Sequence, residues 1–551
     1  MVLRRILPLV VVVALSLLAG PVPWSSAAAR PTVRVSLSGT DVAVGTTVVA
    51  TARVRGGTAR QRVTLQRRAG STWTKVAARL LPRHGALRKV RFPITAMPGT
   101  TTYRVVLARH GSTPGRRGRA FTVTGRTAGG PAVPEPPSTR LVSHRSTGAT
   151  TGSAESGDPS ISADGRFVVF ESFAADLLPG GNNGVWQVYL WDRTTDALTL
   201  ISHRADGTPG LGHSKDPVVS ADGRYVAFVS GANQLGGVPG VGPDSLWRWD
   251  RTTDVLQRLT GDNLDQSVTN PSISADGSAI AFMSAATTIA GPGAAGVDDI
   301  FRWHEGSGFT LVSHGAGVAA NGPSLWPAIS ADGDHVAYES LASNLVAAAG
   351  GQTDGNGRSD VFLWDASMIA TTEPVLVSTA HGGLAAATGG TAGAFWPTLS
   401  ADGSLVAYET DATNVLPVLD GDTNKDVFVW SRDTPATQVL VSRPTGGGAG
   451  TTSAYNASMS ADGSSIAFLS DPLSLTGTGT FLDAALLWTR ATGQLTNLSP
   501  GVAGNPDSGA RSVVLAGTGV AAVFTSAATD LVGGTADANG EEDVFVRAPI
   551  G

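Results

Sequence analysis

The 551-residue sequence predicts an all-β protein, a seven-bladed β-propeller preceded by a small β-sandwich. Three observations carry that expectation. A self-similar unit recurs seven times from residue 158 onward. Short alternating apolar runs fill residues 31 to about 125 at sandwich spacing. The strand missing from the last repeat stands at the front of the array.

The first segment, residues 1–29, reads as a secretory signal. Arg4 and Arg5 are its basic start, Ile6 to Leu18 its apolar stretch, and Ala27-x-Ala29 its cleavage site before Arg30. That stretch is shorter than the roughly 20 residues of a membrane helix. The expected location is therefore secreted, outside the cytoplasm. The chain contains no cysteine. Thiol chemistry is excluded, and stability has to come from core burial rather than disulfides.

Residues 30–126 form the expected sandwich. Its alternating runs are Val33-Arg34-Val35, Val48-Val49-Ala50, Val63-Thr64-Leu65, Tyr103-Arg104-Val105-Val106 and Phe121-Thr122-Val123. With Gln66-Arg67, Trp73 and Gly99-Thr100, these runs resemble the immunoglobulin-like modules appended to exported bacterial proteins. The resemblance implies a small immunoglobulin-like β-sandwich and no particular function. The module holds 20 Lys and Arg against the single acid Asp41, a net charge of +19. Beyond residue 126 the net charge is −25. Such a basic surface either tethers to an anionic envelope polymer or membrane surface, or is a solvated spacer. The Arg116-Arg117-Gly118-Arg119 cluster has no interleaved aromatics, which argues against nucleic acid. Residues 127–138, rich in Gly and Pro, are the expected linker.

Each repeat opens with a unit such as Asp158-Pro-Ser-Ile-Ser-Ala-Asp164-Gly165, in which Asp-Gly makes a tight turn between two short apolar strands. It returns at Asp216, Asn270, Trp326, Trp396 and Asn456, and in degraded form from Ser512. A third strand follows, for example Val188-Tyr-Leu-Trp191 or Val361-Phe-Leu-Trp364. Its aromatics stand two apart and so share a face that can pack between neighbouring blades. A fourth strand ends each unit, as in Leu198 to His203. The seventh unit stops after Asp543-Val-Phe-Val546, and Thr139 to His144 supplies its fourth strand. That offset predicts a ring over residues 139–551 with no open sheet edge at the seam. The Pro-Ser-Ile-Ser-Ala-Asp-Gly and aromatic-x-Trp-Asp pattern resembles the WD40-like propeller repeats of TolB and its relatives, with Ala-Asp-Gly where those carry Pro-Asp-Gly. The resemblance implies the fold; function is not inherited with it.

Repeats spaced 54 to 70 residues apart leave long loops on one face of such a ring. Three of these loops place oxygen donors at alternate positions: Asp354, Asn356 and Asp360; Asp420, Asp422, Asn424 and Asp426; Asp537, Asn539 and Asp543. Either they curl round Ca²⁺, the one cofactor the sequence suggests, or they make Asx-turns without metal. Asp158, Asp216, Asn270, Trp326, Trp396 and Asn456 precede the inner strands and should ring the channel mouth, with Ser512 closing the series. Aromatic faces beside carboxylates suit a polysaccharide or a protein's cationic side chain; the alternative is that the Trp side chains only pack on loops. No catalytic residue is assigned. His144, His203 and His314 end equivalent strands and are spread round the ring, and no nucleophile elbow is present. The expected function is an exported binding or scaffold protein. The alternative is a carbohydrate-active enzyme of lyase or glycosidase type, with Asp158 and Asp216 as its carboxylate pair.

Overall fold

The computed structural model describes residues 31–126 and 138–550, apart from short loop segments such as 290–295, 347–351, 388–392, 418–422, 445–451 and 534–538. The expected signal, residues 1–29, residues 127–137 of the expected linker, and Asp420, Asp422 and Asp537 lie outside the described residues. Two compact units separate, one holding the chain up to Val35 with Val49–Ile94 and Thr100–Val123, the other Ser36–Val48, Thr95–Gly99 and the chain from Thr124 onward. Among the described residues, no helix is long and apolar enough to cross a membrane.

The strands before residue 127 form two sheets. Thr32–Leu37, Thr47–Arg55 and Leu87–Thr95 form a three-stranded sheet in that order. The five-stranded sheet runs Asp41–Ala43, Arg116–Arg126, Gly99–Leu107, Arg62–Ala69 and Thr72–Leu80. Its edge strand Asp41–Ala43 pairs in parallel with Thr124–Arg126. Period-two patterning explains the burial: Val63 and Leu65 point inward while Arg62 is exposed, and Tyr103, Val105 and Leu107 do the same on the next strand. The edge strand Thr72–Leu80 is mostly exposed and carries Lys75 and Arg79, charges that discourage edge-to-edge pairing.

From residue 138 the fold is seven four-stranded antiparallel sheets in a propeller-like arrangement. The first contains Ser156–Ile161, Phe167–Ser172, Gln187–Asp192 and Ala197–Leu200, hydrogen-bonded in sequence order. Five more repeat that order. The seventh combines Ala510–Leu515, Ala522–Ser526 and Asp543–Ala548 with Ser138–Leu141 from the front of the array. There Leu141 faces Phe545 and Arg140 faces Val546, and the Ser143 hydroxyl donates to Asp543 at 2.7 Å.

The recurring Ser-Ala-Asp-Gly is a structural device. In the first sheet the Asp164 carboxylate accepts the Arg166 N–H at 3.0 Å and the Ser162 hydroxyl at 2.7 Å. Ser162 Oγ in turn accepts the Phe167 N–H at 2.9 Å, so three side-chain bonds set the turn. Gly223, its equivalent in the second sheet, has φ of +68°, and a Cβ there would stand 2.1 Å from the Phe167 ring. The alanines of these turns link the sheets in series. The Ala163 N–H donates to the Ala221 carbonyl (3.0 Å), and Ala221, Ala275, Ala331 and Ala401 each donate to the next. Ala461 donates to Gly517, and Thr518 returns to Ala163 at 2.9 Å.

Packing follows the same order. Trp247 and Trp249 of the second sheet share a buried cluster with Phe167, Val169 and Leu190 of the first. Trp191 packs with Val523, Val544 and Val546 of the seventh. All seven third-strand tryptophans, Trp191, Trp247, Trp249, Trp303, Trp364, Trp430 and Trp488, are buried. Truncating one such ring to Ala costs about 3–5 kcal/mol in a typical core.

Candidate functional site

The six residues expected before the first strands lie inside them, each at a bulge. Between Gly157 and Ser160 the pairing with the second strand shifts register, and equivalent shifts recur in the following sheets. At each bulge the backbone is left-handed: φ is 43° at Asp158, 52° at Asp216, 50° at Asn270 and Trp326, 45° at Trp396 and 54° at Asn456. That conformation is unfavourable for a non-glycine residue, most of all a bulky one, and persists only where the surroundings hold it.

Carboxylates of the preceding sheet hold most of these bulges. The Asp216 N–H donates to Glu171 Oε2 at 2.9 Å and the Asn270 N–H to Asp216 Oδ2 at 3.2 Å. The Trp396 N–H donates to Glu339 Oε2 at 3.1 Å, and the Asn456 N–H donates to Glu409. Asn456 passes the pattern on by accepting the Val513 N–H at 2.8 Å. Each bond satisfies an N–H that the bulge has removed from the sheet ladder.

Two clusters result. In the first, Asp158, Glu171 and Asp216 bring carboxylate oxygens within 4.8 Å of one another, a group able to hold a divalent cation. Burial pushes Glu171 up to about 8, with the charges of Asp158 and Asp216 adding to it. Asp158 and Asp216 are raised as well, again chiefly by burial, although Asp158 is open to water at its surface.

The second cluster joins sheets four and five. Trp326 and Trp396 meet edge to face with ring centroids 5.9 Å apart, and they are 42% and 36% exposed. Lys425 Nζ lies 4.8 Å from the Trp396 ring, 4.4 Å from that of Phe395 and 3.6 Å from Glu409 Oε2. Burial lifts Glu339 and Glu409 to about 7, against the opposing pull of Lys425 and the N–H groups they accept.

The sequence pointed to Asp158, Asp216, Trp326 and Trp396 but not to Glu171, Glu339, Glu409 or Lys425. The signal was present. Second strands read Phe-Glu-Ser, Tyr-Glu-Ser and Tyr-Glu-Thr at these three glutamates, where other repeats carry Val229, Met283 or Leu469. Of the acidic-loop residues, Asp360, Asp426 and Asp543 are buried at the start of third strands, each accepting a serine hydroxyl from just beyond the fourth strand, from Ser378, Ser442 and Ser143. Asn356 and Asn539 each cap the N–H two residues on, as in an Asx-turn. The histidines stay apart, His144 beside Asp196 and His203 beside Asp254.

No protein-family model matches the chain, and no curated protein matches it. Solved structures do. The putative TolB from Agrobacterium tumefaciens is similar at a TM-score of 0.31 and 16% identity, over 55% of this chain and 87% of that one. U3-55K is similar at a TM-score of 0.40 and 11% identity, over 75% of this chain and 98% of that one. The Niastella koreensis GH74 enzyme is similar at a TM-score of 0.22 and 11% identity, over 92% of this chain and 71% of that one.

Proposed function

We propose that residues 139–551 form a closed seven-bladed propeller whose mouth binds a polysaccharide. Closure is supported by the returning hydrogen bond from Thr518 to Ala163 and by the pairing of Ser138–Leu141 with the last strand. The observation that carries the ligand class is the Trp326–Trp396 pair. Seven tryptophans of the third strands are buried, whereas these two are held open to solvent on strained backbone. Exposed aromatic faces beside carboxylates and an amine match the C–H faces and hydroxyls of a sugar. The repeat all-β fold is compatible with a binding scaffold or a carbohydrate-active enzyme, and the Asp158–Glu171–Asp216 group favours keeping the second reading. Its carboxylate oxygens lie within 4.8 Å of one another, and retaining glycosidases likewise use a close pair of carboxyl groups.

In this reading residues 30–126 are an immunoglobulin-like module, a view supported by its three- and five-stranded sheets and the parallel edge pairing. The test is a panel of cell-wall and plant polysaccharides, assayed first for binding and then for turnover. Trp326→Ala and Trp396→Ala should each weaken binding at least about tenfold, the loss of one stacking contact worth about 1.4 kcal/mol. Equal affinity in wild type and both variants would refute the site. Turnover abolished by Asp158→Asn or Asp216→Asn would establish the enzyme reading.

A further inference from the structure

We propose that the loop entering the third strand of the fourth sheet binds a hard divalent cation through the carboxylates of Asp354 and Asp360. This site is separate from the Asp158 cluster and independent of the polysaccharide reading. Asp360 opens the strand Asp360–Asp365 and is 1% exposed. One of its oxygens accepts the Ser378 hydroxyl at 2.6 Å. The other, Oδ2, is buried and makes no hydrogen bond among the described residues, although the Asn356 amide and the Asp354 carboxyl lie beside this group. A buried charged oxygen without a donor is costly, and it asks for a proton or a cation.

Asp354 is the neighbouring acid. It is half-buried, and its carboxylate lies close enough for its charge to act on Asp360. Two neighbouring carboxylates either share a proton or repel, and a divalent ion removes the repulsion while supplying the contact that Oδ2 lacks. The donors are all oxygen, the set that suits Ca²⁺. Asn356 shapes the loop: its amide donates to the Ala387 carbonyl at 3.0 Å, its oxygen accepts the Arg358 N–H at 2.8 Å, and Gly357 follows at φ of +65°. The seventh sheet repeats the scaffold. Asn539 donates to the Gly152 carbonyl at 3.0 Å and accepts the Glu541 N–H at 3.0 Å, and Gly540 has φ of +72°.

Calorimetric titration of EGTA-stripped full-length protein with CaCl₂, up to about 10 mM, spans the range of extracellular calcium modules. Asp354→Asn should lose one calcium equivalent per chain, or weaken that equivalent at least tenfold. Asp360→Asn should do the same while its melting profile reports whether the chain still folds. Asp158→Asn should keep the equivalent. Absence of calcium binding in the wild type would overturn the proposal and leave a proton shared between Asp354 and Asp360. Unchanged stoichiometry and affinity in Asp354→Asn would overturn it as well.

Discussion

His335 stands where the first two sheets carry Phe167 and Tyr225, just after the Asp-Gly turn. It is buried, with Nε2 3.1 Å from Asp365 and Nδ1 3.7 Å from Asp332. Arg432 Nη1 also approaches Nε2, at 3.1 Å. Burial works to lower the His335 pKa, but the hydrogen bonds and charges of Asp332 and Asp365 outweigh it, and the net shift is upward from 6.5. The sign follows from linkage. A histidine raised in the folded state stabilises fully below its unfolded pKa, and that contribution disappears as pH rises through the folded pKa. Urea midpoints of the wild type should therefore fall from pH 6.5 upward relative to those of His335→Phe, and parallel profiles would show that His335 does not titrate in this way. Residue roles of this kind were only partly legible. A charge at a strand position that is apolar in sister repeats marks a burial problem solved by a partner. The partner of Glu171 is the backbone N–H of Asp216, which no side-chain pattern reveals.

At the scale of elements, repetition made the sequence readable. The Asp-Gly turns, the third-strand tryptophans and the displaced fourth strand could each be placed because every copy confirms the others. The bulges could not. A residue before proline is biased toward extended backbone, so Asp158 and its equivalents read as lying ahead of the first strands. They lie within those strands, left-handed, because the register shift is fixed by pairing with the second strand. In the N-terminal unit, Thr72–Leu80 escaped notice because an edge strand has little to bury and its alternation is broken by charge. The displaced strand gives a direct test. Leu141 and Val142 are buried, and Ser143 donates to Asp543 and accepts the Val544 N–H at 3.0 Å. A truncation beginning at Ser138 should keep the stability of residues 138–551. One beginning at Thr147 should melt lower by on the order of 10 °C, since two apolar side chains leave the core and a sheet edge opens. Identical melting curves for the two truncations would mean that the strand does not lock the seventh sheet.

At the scale of the whole chain, the charge split remains to be explained. A net of +19 over residues 30–126 and −25 beyond them is far from the even mixture of an ordinary surface. The structure shows that the basic charge is displayed and not spent on the core of its unit: Arg55, Lys75, Arg79, Lys89, Arg91, Arg116 and Arg117 are exposed. Exposed charge of one sign attracts any dense polyanion, and bacterial wall polymers and membrane surfaces are such polyanions. We propose that the basic module adsorbs to such a polyanion and leaves the Trp326–Trp396 cluster free for its ligand. Attraction of this kind is screened over about 8 Å at physiological ionic strength and about 3 Å at 1 M salt. Residues 30–126, produced alone, should co-sediment with purified wall or anionic vesicles at low salt and return to the supernatant at high salt. Neutral vesicles should fail to pull the module down at either salt concentration. Retention on neutral vesicles would point to apolar contacts rather than charge, and a module that stays in the supernatant with anionic wall at low salt would end the tether model.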